Sequence, residues 1–137
     1  MAISQAMATS FKAEILDEVH DLVADTLKIA LFTSSASLGA TTTAYSTEVA
    51  NGNGYATGGV TLANKVVSTS GTTAFFDADD PTWTSASFTA RGALIYNSSA
   101  SDKAIAVLNF GGDFTVSSGT FRIVFPAAGA NAIITIA

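Results

Sequence analysis

This sequence predicts an all-β domain, an antiparallel sandwich or barrel of jelly-roll-like character with one short N-terminal helix. Three observations carry that prediction. About seven to nine short segments alternate apolar with polar residues or run apolar between turn signals. Turn residues (Gly, Asn, Asp, Ser, Pro) recur roughly every ten positions. Helical periodicity occurs only near the start, so no helix separates the later strands and a parallel α/β sheet is excluded.

Met1 to Thr9 is small and polar, without periodicity, and is expected as a mobile arm or a segment that docks on a neighbour; residues 10–137 then form a single β-domain. Ser10 to Val23 reads as the helix. Phe11, Ile15, Val19, Leu22 and Val23 fall on one stripe, acids line the other face, and Ser10 is the expected N-cap. His20, the sole histidine, lies beside Asp21 and is expected as a solvated or capping residue rather than a ligand. Leu27 to Thr33 is the first strand, with Leu27, Ile29 and Leu31 on one face and Lys28 and Phe32 on the other.

Ser34 to Gly59 is long and poor in apolar residues, with a short strand expected near Thr43 to Val49. Asn51-Gly52 and Asn53-Gly54 are consecutive turn signals suited to positive φ. No Lys-Ser/Thr pair and no helix follow the glycines, so the run is not a phosphate loop. Val60 to Thr69 is a strand, with Val60, Leu62 and Val66 sharing a face. Ser70-Gly71 turns it into a hairpin with Thr72 to Asp77.

The centre of the chain is Phe75 to Asn97. It holds a hairpin end, an acidic corner (Asp77, Asp79, Asp80) closed by Pro81, a short extended piece at Thr82 to Thr84, and a long core strand from Ser85. Trp83 is expected to pack the corner. Asn97 to Lys103 is a loop. Ala104 to Phe110 is apolar on both faces and so central. Turns follow at Gly111 to Asp113 and Ser117 to Gly119, then a strand at Thr120 to Phe125, a small-residue loop, and a last strand at Ala132 to Ala137.

Composition narrows the chemistry. The chain is 48% apolar and only 12% charged, with Ser and Thr making up roughly a quarter of it. That is about half the usual charged share. A weakly charged, Thr-rich surface suits strands and crowded interfaces, where each buried charge would cost several kcal/mol. Net charge is −5, and no two of the six basic residues are adjacent, which argues against nucleic-acid binding. There is no cysteine, and no cofactor motif is present. No basic start precedes an apolar run, and no stretch approaches the roughly 18 apolar residues of a membrane span. A soluble chain made in a cytoplasm, without membrane contact, is expected.

Candidate chemistry is sparse. Asp77, Asp79 and Asp80 offer oxygen ligands for Ca²⁺, but the EF-hand Gly and Glu are absent; the alternative is a solvated turn with one Asp facing a basic residue. Arg91, between small and apolar neighbours, either pairs with an Asp of the corner and tethers it or points outward to a partner. No GxSxG motif supports a serine hydrolase, and no enzymatic activity is expected. A carbohydrate-binding module would use Trp83, Tyr55 and Tyr45 as stacking platforms.

Three stretches carry a resemblance: EVANGNGYATGGVTL, FDADDPTWTSASFTARGALIYN and VLNFGGDFTVSSGTFRIVFPAAG. Preceded by FKAEIL and LKIALFTSSASL, they resemble a family of small structural proteins of tailed-bacteriophage virions, over most of the chain from Phe11 onward. The resemblance implies a capsid decoration, or cement, protein, with a head-fibre or tail-associated component as the alternative. It implies the major capsid protein and the chain itself, as homodimer or homotrimer, as partners, and a place on the virion surface after synthesis in the bacterial host. It supplies no catalytic residues. The natural binding elements are the N-terminal arm and the long segment carrying Tyr45, Asn51, Asn53 and Tyr55. The terminal AIITIA strand is expected either to exchange with a neighbour or to pair within its own core.

Overall fold

The computed structural model describes residues 3–42 and 47–137. It is mostly strand, in two antiparallel sheets with one short helix, as the sequence predicts. In chain order the elements are β1 (Ala6–Met7), α1 (Thr9–Leu16), β2 (Leu27–Phe32), β3 (Val60–Thr61), β4 (Val66–Ser70), β5 (Thr73–Asp77), β6 (Thr82–Asn97), a 3₁₀ turn (Ser98–Ala100), β7 (Lys103–Arg122) and β8 (Ile134–Ile136). The larger sheet runs β1-β7-β6-β2-β3, the smaller β4-β5-β8.

The centre of the large sheet is buried on both faces. Gly92 to Asn97 of β6, Ile29 to Phe32 of β2 and Ala104 to Val107 of β7 are all shielded from water. This explains why these runs read as near-continuous apolar sequence rather than clean alternation. Ala30 and Phe32 are therefore as buried as Leu27, Ile29 and Leu31, so both of the expected faces of β2 are covered. The small sheet contributes Phe76 and Ile134, a cross-strand pair, to the same core.

The expected arm is part of the domain from Ile3 onward. Ala6 and Met7 pair with Val107 and Ala106, and Ile3 and Ala8 are buried. Ala8 N–H donates to the Ile105 carbonyl at 2.8 Å and Thr9 N–H to Ala40 at 2.7 Å. The helix consequently starts at Thr9 behind Ala8, without a side-chain cap, and the expected Ser10 cap is not used. It also ends early, at Leu16. Glu18 takes a left-handed conformation (φ 60°), and the Asp21 carboxylate accepts from Val23 and Ala24 N–H. Asp side chains compete with helix in this way. The reversal turns His20 inward, so Val19 to Val23 lie outside the helix.

The hairpin at Gly71 forms as expected, Ser70 opposite Thr73. The strand expected over Val60 to Thr69 splits at Asn64 (φ 52°), because the chain there crosses from one sheet to the other. Leu62 N–H still bonds Leu27 on the first sheet, whereas Ala63 accepts from Asp79 N–H on the second side. Val66 ends up exposed and shares no buried face with Leu62.

From Thr82 to Asn97 the chain is one strand, bulged at Ser85 (φ 49°), and from Lys103 to Arg122 another. The turns expected at Gly111 to Asp113 and Ser117 to Gly119 are bulges inside β7. Gly111 (φ 81°) and Ser118 (φ 49°) absorb the extra residues, and pairing with β6 resumes beyond each. Beyond Gly92 the β6–β7 pair outruns β2 and continues as a two-stranded ribbon. The terminal AIITIA segment pairs through β8 with β5 of its own chain, the core-pairing alternative.

Candidate functional site

The aromatic centre is a packing knot. Trp83 and Tyr55 are buried, their rings stacked at 6.4 Å, with Phe88 edge-on to Tyr55 and Phe121 edge-on to Trp83. The double Asn-Gly turn positions Tyr55: Gly52 and Tyr55 exchange backbone hydrogen bonds of 2.7 and 3.0 Å. The Tyr55 hydroxyl accepts from Leu31 N–H at 3.0 Å and donates to Glu48, whose carboxylate also accepts from Gly58 N–H at 2.6 Å. Burial pushes the Tyr55 phenol well up from its ordinary value, and the neighbouring Glu48 carboxylate adds to the effect. Glu48 thus belongs to the structure, a role its sequence setting did not reveal. With Trp83 and Tyr55 enclosed, neither offers a sugar-stacking face, and the reading of these two as platforms is corrected. Tyr45 lies outside the described residues.

Asn51 and Asn53 are exposed on the turn and are anchored within the chain. Asn51 Oδ1 accepts from Thr57 N–H at 3.1 Å, and the Asn53 carbonyl accepts from Ser87 N–H at 2.8 Å.

The acidic corner is tied by Arg122, not Arg91. Asp80 accepts from Arg122 Nη2 at 2.6 Å and from Phe125 N–H at 2.8 Å. The Phe125 amide, then Arg122, hold the Asp80 carboxyl below its ordinary value. Asp79 accepts from the Asn64 amide. Asp79 and Asp80 therefore serve separate partners, Asp77 Oδ1 is buried without a hydrogen-bond partner, and among the described residues no acid or histidine cluster is placed to hold a metal ion, which corrects the Ca²⁺ candidate. Pro81 is buried directly before β6, its carbonyl accepting from Ile123 N–H. Arg91 instead meets Asp113 at 3.4 Å on the neighbouring strand, both side chains 40% or more exposed. The ribbon carries Arg91 away from the corner, so the expected tether does not form.

His20 sits in a buried polar cluster where a solvated residue was expected. Asn97 Nδ2 donates to Asp25 at 2.7 Å and to His20 Nδ1 at 3.0 Å, while Asn97 Oδ1 accepts from Ser99 N–H. That fixes the amide orientation, leaves His20 Nδ1 as acceptor, and aims the Nε2 proton at Glu14 Oε1, 3.0 Å away. Burial alone would raise the Glu14 carboxyl, but the bonds from His20 and Lys103 outweigh it and hold it below its usual value. Both ring nitrogens of His20 are thus engaged within the cluster.

Among the described residues, two apolar surfaces are open. A groove of about 630 Å³ lies between α1 with its turn (Ile15, Leu22, Val23) and the small sheet (Val67, Phe75, Ile136), bordered by Glu18 and Asp21. Val23, Val67 and Ile136 are 49%, 51% and 60% exposed. A second, of about 380 Å³, follows the ribbon along Phe110, Phe114, Phe121 and Val124. Sequence reading missed both. The signal available was Val66-Val67 on a strand otherwise polar, and the C-terminal isoleucines.

Among the described residues no helix is long and apolar enough to cross a membrane. No protein-family model, curated protein or solved structure matches the chain.

Proposed function

We propose that the chain is a structural protein of a tailed-bacteriophage virion, a decoration or cement protein bound to the outside of the major capsid lattice. The sequence resemblance motivates this reading, and one observation carries it: the apolar groove between α1 and the small sheet. Contiguous open apolar surface of this kind, rimmed by polar residues, marks interaction sites. Its border is acidic, which disfavours phosphate and suits a neutral or basic protein surface. Covering three half-exposed aliphatic side chains contributes on the order of 1 kcal/mol each. Such a contact is weak for one copy. Repeated over a lattice and shared within an oligomer, it becomes strong through effective concentration. The weakly charged, Ser/Thr-rich surface fits close repeated packing.

The test is co-purification. Virions from the source genome, washed at high salt, should retain the chain in many copies. The exposed variants Val67→Asp and Ile136→Asp should fold yet be lost from washed particles. Detection only in infected-cell lysate, never in washed virions, refutes the reading.

A further inference from the structure

The outer edge of β7 has no strand against it past Val107 among the described residues, although β7 runs on to Arg122. A side chain built at Gly111 or Gly112 would meet open space. Between Lys103 and Arg122 this strand contains no Lys, no Pro and a single charge, Asp113. Long free edges are normally blunted by such residues, because their unpaired N–H and C=O groups template pairing with another chain.

We infer that this edge pairs with the same edge of a second copy, antiparallel, in a register that sets Asp113 opposite Arg122 and Phe114 opposite Phe121. The inference rests on the reading of the chain as a self-associating assembly protein and names the surface it uses. Charge complementarity selects the register. On the sheet face away from the Trp83 knot, Arg91 binds Asp113 and Arg122 binds Asp80 within each copy. The pairing would bring the partner's Arg122 to Asp113, giving an alternating row from Arg91 through Asp113 and the partner copy's arginine to its Asp80, repeated twice by symmetry. Slipping by two residues keeps every face but sets Asp113 against Thr120 or Val124 and loses the row.

The bulge makes this register symmetric. A two-fold axis normal to a regular sheet requires some residue to oppose its own copy. Here the axis falls at Ser117-Ser118, where β7 carries one extra residue relative to β6: Phe88 to Ala86 spans two positions while Val116 to Gly119 spans three. The two serines count as one position in the pleat, so faces match on both sides. Phe114 and Phe121, opposite Ala90 and Trp83 on β6, both lie on the knot side. The half-exposed Phe114 would then be covered by the partner's aromatic stripe, and the two five-stranded sheets would become one.

Sedimentation of the purified full chain at about 100 μM, enough to populate a micromolar dimer, is expected to give twice the 13.9 kDa chain mass, 27.8 kDa. Phe114→Lys should return it to the single-chain mass. The chain has no cysteine, so Thr115→Cys mixed with Thr120→Cys should form a disulfide between copies under mild oxidation. Either variant alone should not, its two thiols lying beyond the roughly 7 Å that a disulfide spans. A monomer at that concentration, a dimer or trimer unaffected by Phe114→Lys, no disulfide in the mixture, or cross-linking of either variant alone overturns the inference. A monomeric result would leave virion co-purification standing, and absence from virions would leave the dimer standing, so the two readings fail separately.

Discussion

Asn97→Ala is the sharpest probe of what holds the α1–β2 connection to the sheet. Asn97 is the last residue of β6 and fully buried. Its amide donates to Asp25 and His20 and accepts from Ser99 N–H. Truncation deletes three hydrogen bonds, one of them to a carboxylate, and strands the buried His20 Nδ1. A net loss of about 1 kcal/mol per neutral bond and about 2 for the charged one gives about 4 kcal/mol. In a domain of this size that corresponds to a fall in Tm of about 15 °C. Urea denaturation followed by circular dichroism measures it directly. The Asn97 bond, followed by the Asp21 amide, is also what holds the Asp25 carboxyl below its usual value. The variant should therefore lose part of its stability difference between neutral and acid pH. A loss under about 1 kcal/mol, the range of an ordinary solvated polar residue, would refute the reasoning that the cluster is dry and mutually satisfied.

The other predictions concern the corner, the acid limb and a close approach. Asp80→Ala should cost about 2 kcal/mol, from the Phe125 amide bond and the solvent-screened Arg122 pair, whereas Arg91→Ala should stay within about 0.5 kcal/mol; equal costs in denaturant titrations would contradict the assignment of Arg122 as the tether. Asp25, Asp80 and Glu14 all have depressed carboxyls in the folded chain. Their contribution is fully present above the unfolded value near 4 and is lost as pH falls through the lower folded values. A Tm series should hold steady down to about pH 5 and decline below about pH 4, and a flat profile to pH 3 would count against these pairings. Gly59 has φ 81°, and a Cβ there would overlap the Ile29 carbonyl oxygen and backbone. Gly59→Ala should cost about 3 kcal/mol or abolish soluble expression, while Gly111→Ala, facing open space, should cost about 1 kcal/mol.

Much of the fold was legible because patterning decides it. The Gly71 hairpin, the Asn-Gly turns, and the buried runs of β2, β6 and β7 all follow from local residue chemistry. What was not legible depends on pairing partners. Gly111-Gly112-Asp113 and Ser117-Ser118-Gly119 carry turn residues, and nothing local reveals that β6 continues alongside and turns both into bulges. The stripe through Val19 and Val23 has helical spacing, yet the Asp21 carboxylate captures two amides and His20 finds Asn97, 77 residues away in sequence. Arg91 and Arg122 are indistinguishable as isolated basic residues on strands; only the register of β6 against β7 puts Arg122, opposite Thr82, within reach of Asp80. The apolar groove joins segments some 110 positions apart, so no window of sequence displays it.

The position of the chain in a virion tests the central claim most directly. A particle map at a resolution that traces strands should contain the two-sheet domain in many copies on the outside of the capsid shell, with the groove lined by Val67 and Ile136 against the major capsid protein. Density that accounts for the whole shell surface without this domain, in particles whose protein content lacks the chain, would contradict it.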